Sequence, residues 1–439
     1  MKDFHFDRQT LSDLELFKDQ RDRSPSIFSL FNQALTPGGS TQLMELMMAP
    51  TSDIHLLRKR TNLFEYLMQK NIKLELRSHQ VEAVDRYLEL NVSLLKSNLL
   101  DRIYKTVTEW HNPTNEYYLI YTGIRQLLLV LEEVHEQLDF TDEELPILLK
   151  EETNTIRELY PVILKALPKK RSQSQLTGKM DKFCRKTHKL ELLRLTREVN
   201  RLDAYIGIAQ AAKIHSFPLP KYLEGNTPEI SFNKLKHPLL TEAKPYDFTL
   251  GEPHNMCFLT GPNMAGKSTF LKALGIGVYL GHLGFPVPAG SAEMTVFRGM
   301  STTINLPDNL GLGHSHYYAE VNRVREVTEL LQQHQPLFVV FDELFRGTNV
   351  SDAREASTEI IGAFSQLKNS AFLVSTHIVE VAEDLKDTLA ISFNYMDLKW
   401  IDGKPQYSYQ IQSGVSTERL GMYILEDAGV LGNLRQLLN

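Results

Sequence analysis

The stretch GPNMAGKST, residues 261–269, fits the pattern G-x-x-x-x-G-K-[ST] of a loop that cradles phosphates. An apolar run at residues 256–260 precedes it and is typical of a buried strand, and residues 269–284 follow with the pattern of a helix. A genuine phosphate loop requires this order of strand, loop and helix. The sequence therefore predicts an α/β domain that binds a nucleoside triphosphate. The alternative is a glycine-rich turn without a ligand.

The loop supplies most of the predicted contacts with the nucleotide. Backbone N–H groups of residues 263–268, at the positive end of the helix dipole, are expected to surround the β-phosphate. We expect Lys267 to bridge the β- and γ-phosphates and the Ser268 hydroxyl to ligate Mg²⁺. The predicted nucleotide-binding residues of the loop are Gly261, Pro262, Asn263, Met264, Ala265, Gly266, Lys267, Ser268 and Thr269.

Two further apolar runs end in polar residues. Residues 338–341, FVVF, have the character of a central parallel strand and are followed by Asp342 and Glu343. Asp342 is expected to hold Mg²⁺ through water, and Glu343 to act as the general base on the attacking water. A structural carboxylate pair is the alternative. Residues 371–375 lead into His377, which is predicted to contact the γ-phosphate or the attacking water, unless it is an ordinary polar residue at a strand end.

Length and composition indicate a globular protein. The chain has 439 residues, enough for two or three domains, and its net charge of −6 neither requires nor excludes nucleic acid. Cys184 and Cys257 lack the spacing of a zinc site or a secreted disulfide framework, which favours a reducing compartment. The N-terminus has no apolar signal core, and no run of about 20 apolar residues is present. We therefore expect a cytoplasmic protein without a membrane partner.

The organisation of the chain changes near residues 215–220, which carry two prolines. Residues 1–215 are poor in glycine and predict a helical domain, whereas residues 216–439 alternate strands, loops and helices and predict the ATPase domain. Two upstream helices carry heptad seams, which fit either an antiparallel arm or a compact bundle. The first seam is Ile120, Ile124, Leu127, Leu131, Val134 and Leu138, and the second is Leu192, Leu195, Val199, Leu202, Ile206 and Ala209.

Charged residues are unevenly distributed between the two seams. An acidic stretch at residues 139–152 is followed by a basic one. The basic residues are Lys165, Lys169, Lys170, Arg171, Lys179, Lys182, Arg185, Lys186, Lys189, Arg194, Arg197 and Arg201. A positive strip of this size can hold a DNA backbone by counterion release. Alternatively, it is a solvated helix face that pairs with the acidic stretch.

The C-terminal half resembles the ATPase of the MutS family, the mismatch-repair branch of the ABC-type ATPases. The resemblance is carried by TGPNMAGKST, by GFPVPA at residues 284–289, by FDELFRGTN at residues 341–349 and by STHIVEV at residues 375–381. Residues 230–240 and 412–430 also resemble family segments. Residues 34–60 and 197–213 look like parts of its core and lever helices, so the resemblance covers most of the chain.

The resemblance implies a fold, a site and an assembly. The fold would be an N-terminal all-α core and lever domain followed by an ABC-type P-loop α/β domain. Two ATPase domains would meet head to tail in a homodimer, with Ser315 of GLGHSHYYAE completing the other subunit's site. Asn263 would lie near the γ-phosphate and Tyr409 near the adenine, with Tyr246 and Phe248 as alternative base contacts. The family usually has threonine and phenylalanine where this chain has His316 and Tyr317.

The implied function is that of an ATP-dependent DNA-binding protein, using ATP and Mg²⁺, which acts on mismatched or structured DNA. We expect the family's mismatch-reading and connector domains to be absent, which leaves a second possibility: an ATPase acting on branched DNA, RNA or ribosomes. Two other ATPase classes fit less well. A transporter subunit would carry L-S-G-G-Q where this chain has GLGHSHYY, and a helicase would need a second RecA-like domain after His377.

Overall fold

The chain forms two compact units. The computed structural model describes residues 4–17, 24–95, 115–166, 173–262, 264–304, 316–345, 347–401, 404–416 and 421–437. The helical unit comprises Leu30–Met48 and Lys59–Ser216, and the sheet unit comprises Met1–Ser29, Ala49–Arg58 and Phe217–Asn439. The predicted boundary at residue 215 is next to the division at Ser216. The segments up to Ser29 and from Ala49 to Arg58, which we expected in the helical domain, belong to the sheet unit.

The described elements up to Ser216 are helical. In chain order they are α1 Arg8–Asp13, α2 Ile27–Phe31, α3 Pro37–Met47, α4 Ile54–Lys70, α5 Ser78–Glu89, α6 Asn115–Gln137, α7 Ile147–Glu152, α8 Asn154–Ala166, α9 Gln173–Lys182, a π-helical turn Phe183–Thr187, and α10 Lys189–His215. None of the helices in the described part of the chain has both the length and the apolar character needed to cross a membrane.

The two heptad seams lie in α6 and α10, except for Leu138, which directly follows α6, and every seam residue is buried. Helix α6 packs mainly against α5, whereas α10 packs mainly against α3 and α8. These packing partners fit a compact bundle better than an isolated arm of two helices. Buried apolar stripes at helical spacing therefore form the core of the helical unit.

The sheet unit contains strands and helices in alternation. The strands are β1 Lys221–Tyr222, β2 Ile230–Leu235, β3 Tyr246–Leu250, β4 Met256–Thr260, β5 Ser291–Met294, β6 Gly299–Thr303, β7 Leu337–Asp342, β8 Ala371–Ser375, β9 Ile391–Ile401 and β10 Lys404–Ser413. The helices are α11 Lys267–Leu283, α12 His316–His334, α13 Val350–Ser365, α14 Glu380–Leu385, α15 Gly421–Asp427 and α16 Val430–Leu437.

The strands form two sheets. The larger has six strands in the order β10-β9-β4-β8-β7-β6, with only the β10–β9 pair antiparallel. The smaller has the order β1-β5-β2-β3. Strands β4, β7 and β8 are almost wholly buried, as expected for parallel strands covered on both faces. The chain is thus a mixed α and α/β protein, and the carboxyl ends of the parallel strands define one edge of the larger sheet.

The N-terminal segment extends the larger sheet beyond β6. The His5 N–H donates to the Arg298 carbonyl at 2.9 Å, and the Met300 N–H donates to the His5 carbonyl at 2.8 Å. The buried Asp13 carboxylate accepts hydrogen bonds from the Thr302 hydroxyl and the Ile304 N–H, both at 2.9 Å. An edge strand has unpaired backbone groups, and this segment satisfies some of them. That pairing explains why the first residues belong to the sheet unit.

His282, in the last turn of α11, is a fully buried neutral histidine. Its Nδ1 lies 2.8 Å from the Val278 carbonyl and must donate, since that oxygen can only accept. Its Nε2 accepts from the Phe297 N–H at 2.9 Å. Burial lowers the pKa of His282 from its ordinary 6.5 to about 4, against the opposing effect of the Val278 bond. A proton on Nε2 would break the contact with Phe297.

This histidine predicts an acid-sensitive fold. Its folded-state pKa is depressed, so its contribution to stability is complete above pH 6.5 and is lost as the pH falls towards 4. Between pH 7 and pH 4 the wild type should lose about 3 kcal/mol more unfolding free energy than His282→Gln, since each tenfold change in proton affinity is about 1.4 kcal/mol. Urea denaturation at a series of pH values measures this difference. His55→Gln, at an exposed position, is the control and should follow the wild type. Parallel curves for the wild type and His282→Gln would contradict the assignment.

Candidate functional site

The loop between β4 and α11 has unusual backbone geometry. Gly261 has φ +142°, Met264 has φ +70° and Gly266 has φ +99°. A Cβ at Gly266 would lie 3.1 Å from the ring of Tyr409, so both the conformation and the space favour glycine. Helix α11 begins directly afterwards at Lys267 and directs its N-terminal N–H groups towards the loop. The predicted strand, loop and helix are therefore present at the predicted positions.

Lys267 is buried at the centre of the site. Its Nζ donates to the Gly261 carbonyl at 2.7 Å and to the Pro262 carbonyl at 3.3 Å. The same nitrogen lies 3.7 Å from Glu343 Oε1, and only 4% of the side chain is exposed. Burial lowers the pKa of Lys267, while the carboxylates of Glu343 and Asp342 oppose that effect. The ammonium is thus held within reach of the Glu343 carboxylate.

Asp342 is fixed by two hydroxyl groups. The Ser268 hydroxyl donates to Oδ2 at 2.5 Å, and the Ser375 hydroxyl donates to Oδ1. Burial raises the pKa of Asp342, and these two hydrogen bonds act in the opposite direction. The parallel register of β7 and β8 places Asp342 opposite Ser375, which explains the second contact.

The Ser268 and Asp342 oxygens fit a hard cation. They lie against each other, and Mg²⁺ prefers oxygen ligands, including hydroxyl and carboxylate groups with substrate phosphates. Among the described residues no cluster of three or more His, Cys, Asp or Glu side chains is placed to hold a metal ion. A cation bound here would therefore depend on these two oxygens together with water and phosphate oxygens.

Glu343 sits in a strained backbone conformation. Its φ is +58°, and that of Phe345, two residues on, is +62°. The Glu343 N–H donates to the Ser375 carbonyl at 3.0 Å, and both Leu344 and Phe345 are buried in the core. A left-handed residue other than glycine costs roughly 1–3 kcal/mol and persists where the surroundings determine it. This turn aims the Glu343 carboxylate at Lys267.

Lys267, Ser268 and Glu343 line a cleft of about 710 Å³. Its lining residues in the described chain are Leu240, Glu242, Ala243, Lys244, Tyr246, Pro262, Met264, Gly266, Lys267, Ser268, Thr269, Glu343 and Tyr409. The cleft is large enough for a small-molecule ligand. The phosphate loop, Glu343, Tyr246 and Tyr409 thus face the same cleft.

The aromatic residues of the cleft differ in their positions. Tyr409 has φ +53° where β10 departs from regular pairing, and its ring lies beside Gly266. Burial raises the pKa of Tyr246 to about 12, so its phenol stays protonated. Phe248 is buried against Phe270, with ring centroids 5.5 Å apart, and does not line the cleft. Of the three aromatic residues that we weighed as base contacts, Tyr246 and Tyr409 are accessible from the cleft.

One predicted residue of the described chain, His377, is not assembled with this group. His377 is exposed after β8 and is not among the described residues that line the cleft. Asn263 and Ser315 lie outside the described residues, so their roles remain predictions. Ser375 is a residue of the site that the sequence analysis did not identify. Its signal was its place at the end of the third apolar run, beside the ends of two parallel strands.

Comparison with known proteins shows a similarity to MutS proteins. Residues 257–434 match the family model "MutS domain V". A DNA mismatch repair protein MutS from Leuconostoc citreum is 31% identical over 244 residues, which is 54% of this chain and 28% of the relative. One from Petrotoga mobilis is 26% identical over 311 residues, or 70% of this chain and 34% of the relative. These matches support membership of the MutS family, and the family model covers residues 257–434 of the chain.

The family resemblance found in the sequence motifs is thereby confirmed. The match, however, covers only part of each relative. A third similar protein, the DNA mismatch repair protein MutS of Lactobacillus delbrueckii subsp. bulgaricus, is 27% identical over 251 residues, which is 56% of this chain and 29% of the relative. The matched part spans about a third or less of the length of these curated MutS relatives. The MutS domain V match includes the phosphate loop, Asp342, Glu343 and Tyr409.

The backbone geometry of the loop predicts a site-specific glycine requirement. Gly266→Ala should lower the unfolding free energy by about 1–3 kcal/mol, because φ +99° is unfavourable for alanine and its Cβ would crowd Tyr409. Gly362→Ala is the matched control, since it lies within α13 and its Cβ would meet Leu385 at an ordinary 3.6 Å. The control should be neutral or slightly stabilising. Equal effects of the two changes in urea denaturation would contradict the loop geometry.

Proposed function

We propose that this MutS-family chain hydrolyses ATP in the cleft at the carboxyl edge of the larger sheet. The observation that carries the proposal is the convergence of Lys267, Ser268, Asp342 and Glu343 at that edge. Ligands of open α/β sheets bind outside the carboxyl ends of parallel strands. The similar proteins are DNA mismatch repair proteins MutS, which supports DNA as the macromolecule on which the ATPase acts.

Each group in the cleft has a proposed role. The N-terminal N–H groups of α11 and the Lys267 ammonium bind the phosphates, and Tyr246 and Tyr409 contact the base. Ser268 and, through water, Asp342 would hold Mg²⁺, which would neutralise charge on the phosphates. A triphosphate offers Lys267 a more strongly charged partner than the loop carbonyls that it now contacts.

Glu343 is the proposed general base. Its carboxylate takes a proton from a water molecule whose oxygen attacks the γ-phosphorus, and the bond to the β-phosphate oxygen breaks to leave ADP and phosphate. The side chain is 15% exposed, so it is accessible from the cleft yet held by its strained turn. Asn263 and His377 are proposed to assist near the γ-phosphate.

The proposed assembly is a homodimer in which each site is completed in trans. Ser315 directly precedes α12 in the sequence, and the N-terminus of a helix stabilises anions. We propose that ATP closes two such composite sites and moves the helical core domain, and that hydrolysis resets it. The DNA substrate would be mismatched or otherwise structured, with branched DNA, RNA and ribosomes as the alternative targets.

Glu343→Gln tests the chemistry. The variant should bind ATP with a Kd within about threefold of wild type and hydrolyse it at least about 100-fold more slowly, because a general base contributes about 10²- to 10⁴-fold. Phosphate release and binding of a fluorescent ATP analogue provide the two measurements. Glu242→Gln removes a carboxylate from the same cleft and should keep wild-type turnover. Unchanged turnover in Glu343→Gln would reject this base.

Lys267→Ala tests the phosphate loop. Loss of a charge-assisted hydrogen bond of about 1.5–3 kcal/mol should weaken ATP binding by about 10- to 150-fold. Lys272→Ala is the matched control on the same helix, where the ammonium pairs with Glu15 at 2.9 Å. Equal affinities of Lys267→Ala and wild type for ATP would remove the loop from the proposed mechanism.

The nucleic-acid target is tested separately. ATP turnover is measured with mispaired, branched and perfect DNA duplexes and with RNA, at stated salt, and stimulation by one of them separates the proposed targets.

A further inference from the structure

Ser375 is a fully buried hydroxyl residue at the carboxyl end of β8, directly after the apolar residues 371–374. Parallel pairing with β7 places it opposite Asp342, and parallel pairing with β4 places it opposite Leu259. Its backbone is therefore held on both sides by the strands that lead into the second motif and the phosphate loop. A buried hydroxyl is costly unless it is hydrogen-bonded, so its partners determine what this serine does.

The Ser375 hydroxyl connects Asp342 with Glu343. Its proton is donated to Asp342 Oδ1, because an ionised carboxylate can only accept. Its oxygen accepts from the Glu343 N–H at 3.2 Å, and the Ser375 carbonyl accepts from the same N–H at 3.0 Å. Two hydrogen bonds in series thus run from the Glu343 backbone through one side chain to the Asp342 carboxylate, and bonds in such a series strengthen each other.

The two oxygens of Asp342 have different donors. Ser375 donates to Oδ1, whereas Oδ2 accepts from the Ser268 hydroxyl on the side of the phosphate loop. The χ2 torsion of an aspartate is broad and roughly two-fold, so an external contact is needed to fix the orientation of its carboxylate. Because Ser268 is itself a proposed Mg²⁺ ligand, Ser375 is the donor that is dedicated to Asp342. Its contact directs Oδ2 towards Ser268.

The contact with Glu343 acts on a backbone conformation that needs support. Glu343 has φ +58°, which is unfavourable for a residue other than glycine and persists only where its surroundings determine it. The two contacts of its N–H with Ser375 fix the first peptide of this turn relative to β8. The Glu343 carboxylate lies 3.7 Å from Lys267 Nζ, and its direction therefore depends on the position of Ser375.

We propose that Ser375 is a positioning residue that orients both the carboxylate at the cation site and the general base. The proposal rests on the proposed ATP hydrolysis, and it adds a residue that acts through Asp342 and Glu343. The family segment that STHIVEV resembles usually has alanine at this position, so the hydroxyl is a feature of this chain rather than of the motif. Hydrogen-bond partners of metal ligands typically contribute about 10- to 100-fold to metal affinity or activity.

Ser370 offers a matched control at the opposite end of the same pair of strands. It is fully buried, it directly precedes β8, and its hydroxyl accepts from the Leu337 N–H at 3.0 Å where β7 begins. Ser370 and Ser375 therefore each connect the two strands through a buried side-chain hydroxyl. Only Ser375 does so at the carboxyl edge, so Ser370→Ala removes a comparable hydrogen bond without touching Asp342 or Glu343.

The test measures metal binding and turnover separately, on the full chain. Mn²⁺ is titrated into the complex of the protein with ADP, and free Mn²⁺ is read from its EPR signal, so that this measurement requires no turnover. Ser375→Ala should bind Mn²⁺ about 10- to 100-fold more weakly than wild type and hydrolyse ATP at least about tenfold more slowly at saturating ATP and Mg²⁺. Its Kd for a fluorescent ADP analogue in EDTA should stay within about threefold of wild type, because the phosphate loop is unchanged. Ser370→Ala should match wild type in all three measurements.

Two results would overturn the proposal. One is wild-type Mn²⁺ affinity in Ser375→Ala, and the other is an equal loss in Ser370→Ala, which would reveal a general effect of removing a buried hydrogen bond. Urea denaturation checks that both variants are folded. Mn²⁺ binding that depends on Ser375, in a wild type that does not hydrolyse ATP, would reject the proposed hydrolysis alone. Turnover that is lost in Glu343→Gln but retained in Ser375→Ala would reject the role of Ser375 alone.

Discussion

The candidate site depends on a buried positive charge and the groups that compensate it. The Lys267 side chain is 4% exposed, and an ammonium removed from water is costly unless it is paired and hydrogen-bonded. Two loop carbonyls and the Glu343 carboxylate provide that compensation. Those partners come from the end of β4 and the end of β7. The register of the parallel sheet therefore has to hold both ends in place, since a displaced strand would leave the charge without partners.

Several residues that line the cleft around Lys267 have strained backbone conformations. Met264, Glu343 and Tyr409 all have positive φ, and all three line the cleft. Such conformations cost roughly 1–3 kcal/mol each in residues other than glycine. The conformation of Glu343 is sustained by β7, which is buried and hydrogen-bonded between β6 and β8. The rigid sheet thus allows the loops at its edge to present side chains in directions that a regular strand would not permit.

The sequence predicted those elements that depend on the local spacing of apolar residues and glycines. The phosphate loop, the apolar strands and both heptad seams lie where their spacing indicated, since burial follows the helical period and the strand run. Contacts between distant segments were not predictable in this way. The segment around His5 has no strand-length pattern of its own, and it is ordered by the open edge of β6. Ser375 became part of the site only because β7 and β8 pair in one particular register.

The pairing of charged residues also could not be predicted from the sequence. The sequence left open whether the basic segment faces solvent or pairs with the acidic stretch, because composition does not tell which charges meet. In the structure Lys59, Lys70 and Arg201 occupy four of the acids, and Arg185 is buried with Asp181. A chain with net charge −6 can therefore retain a positive face, since the field near a surface depends on local charges within about one Debye length, about 10 Å at 0.1 M salt. Net charge constrains solubility, whereas the pairing of individual residues determines where a polyanion can bind.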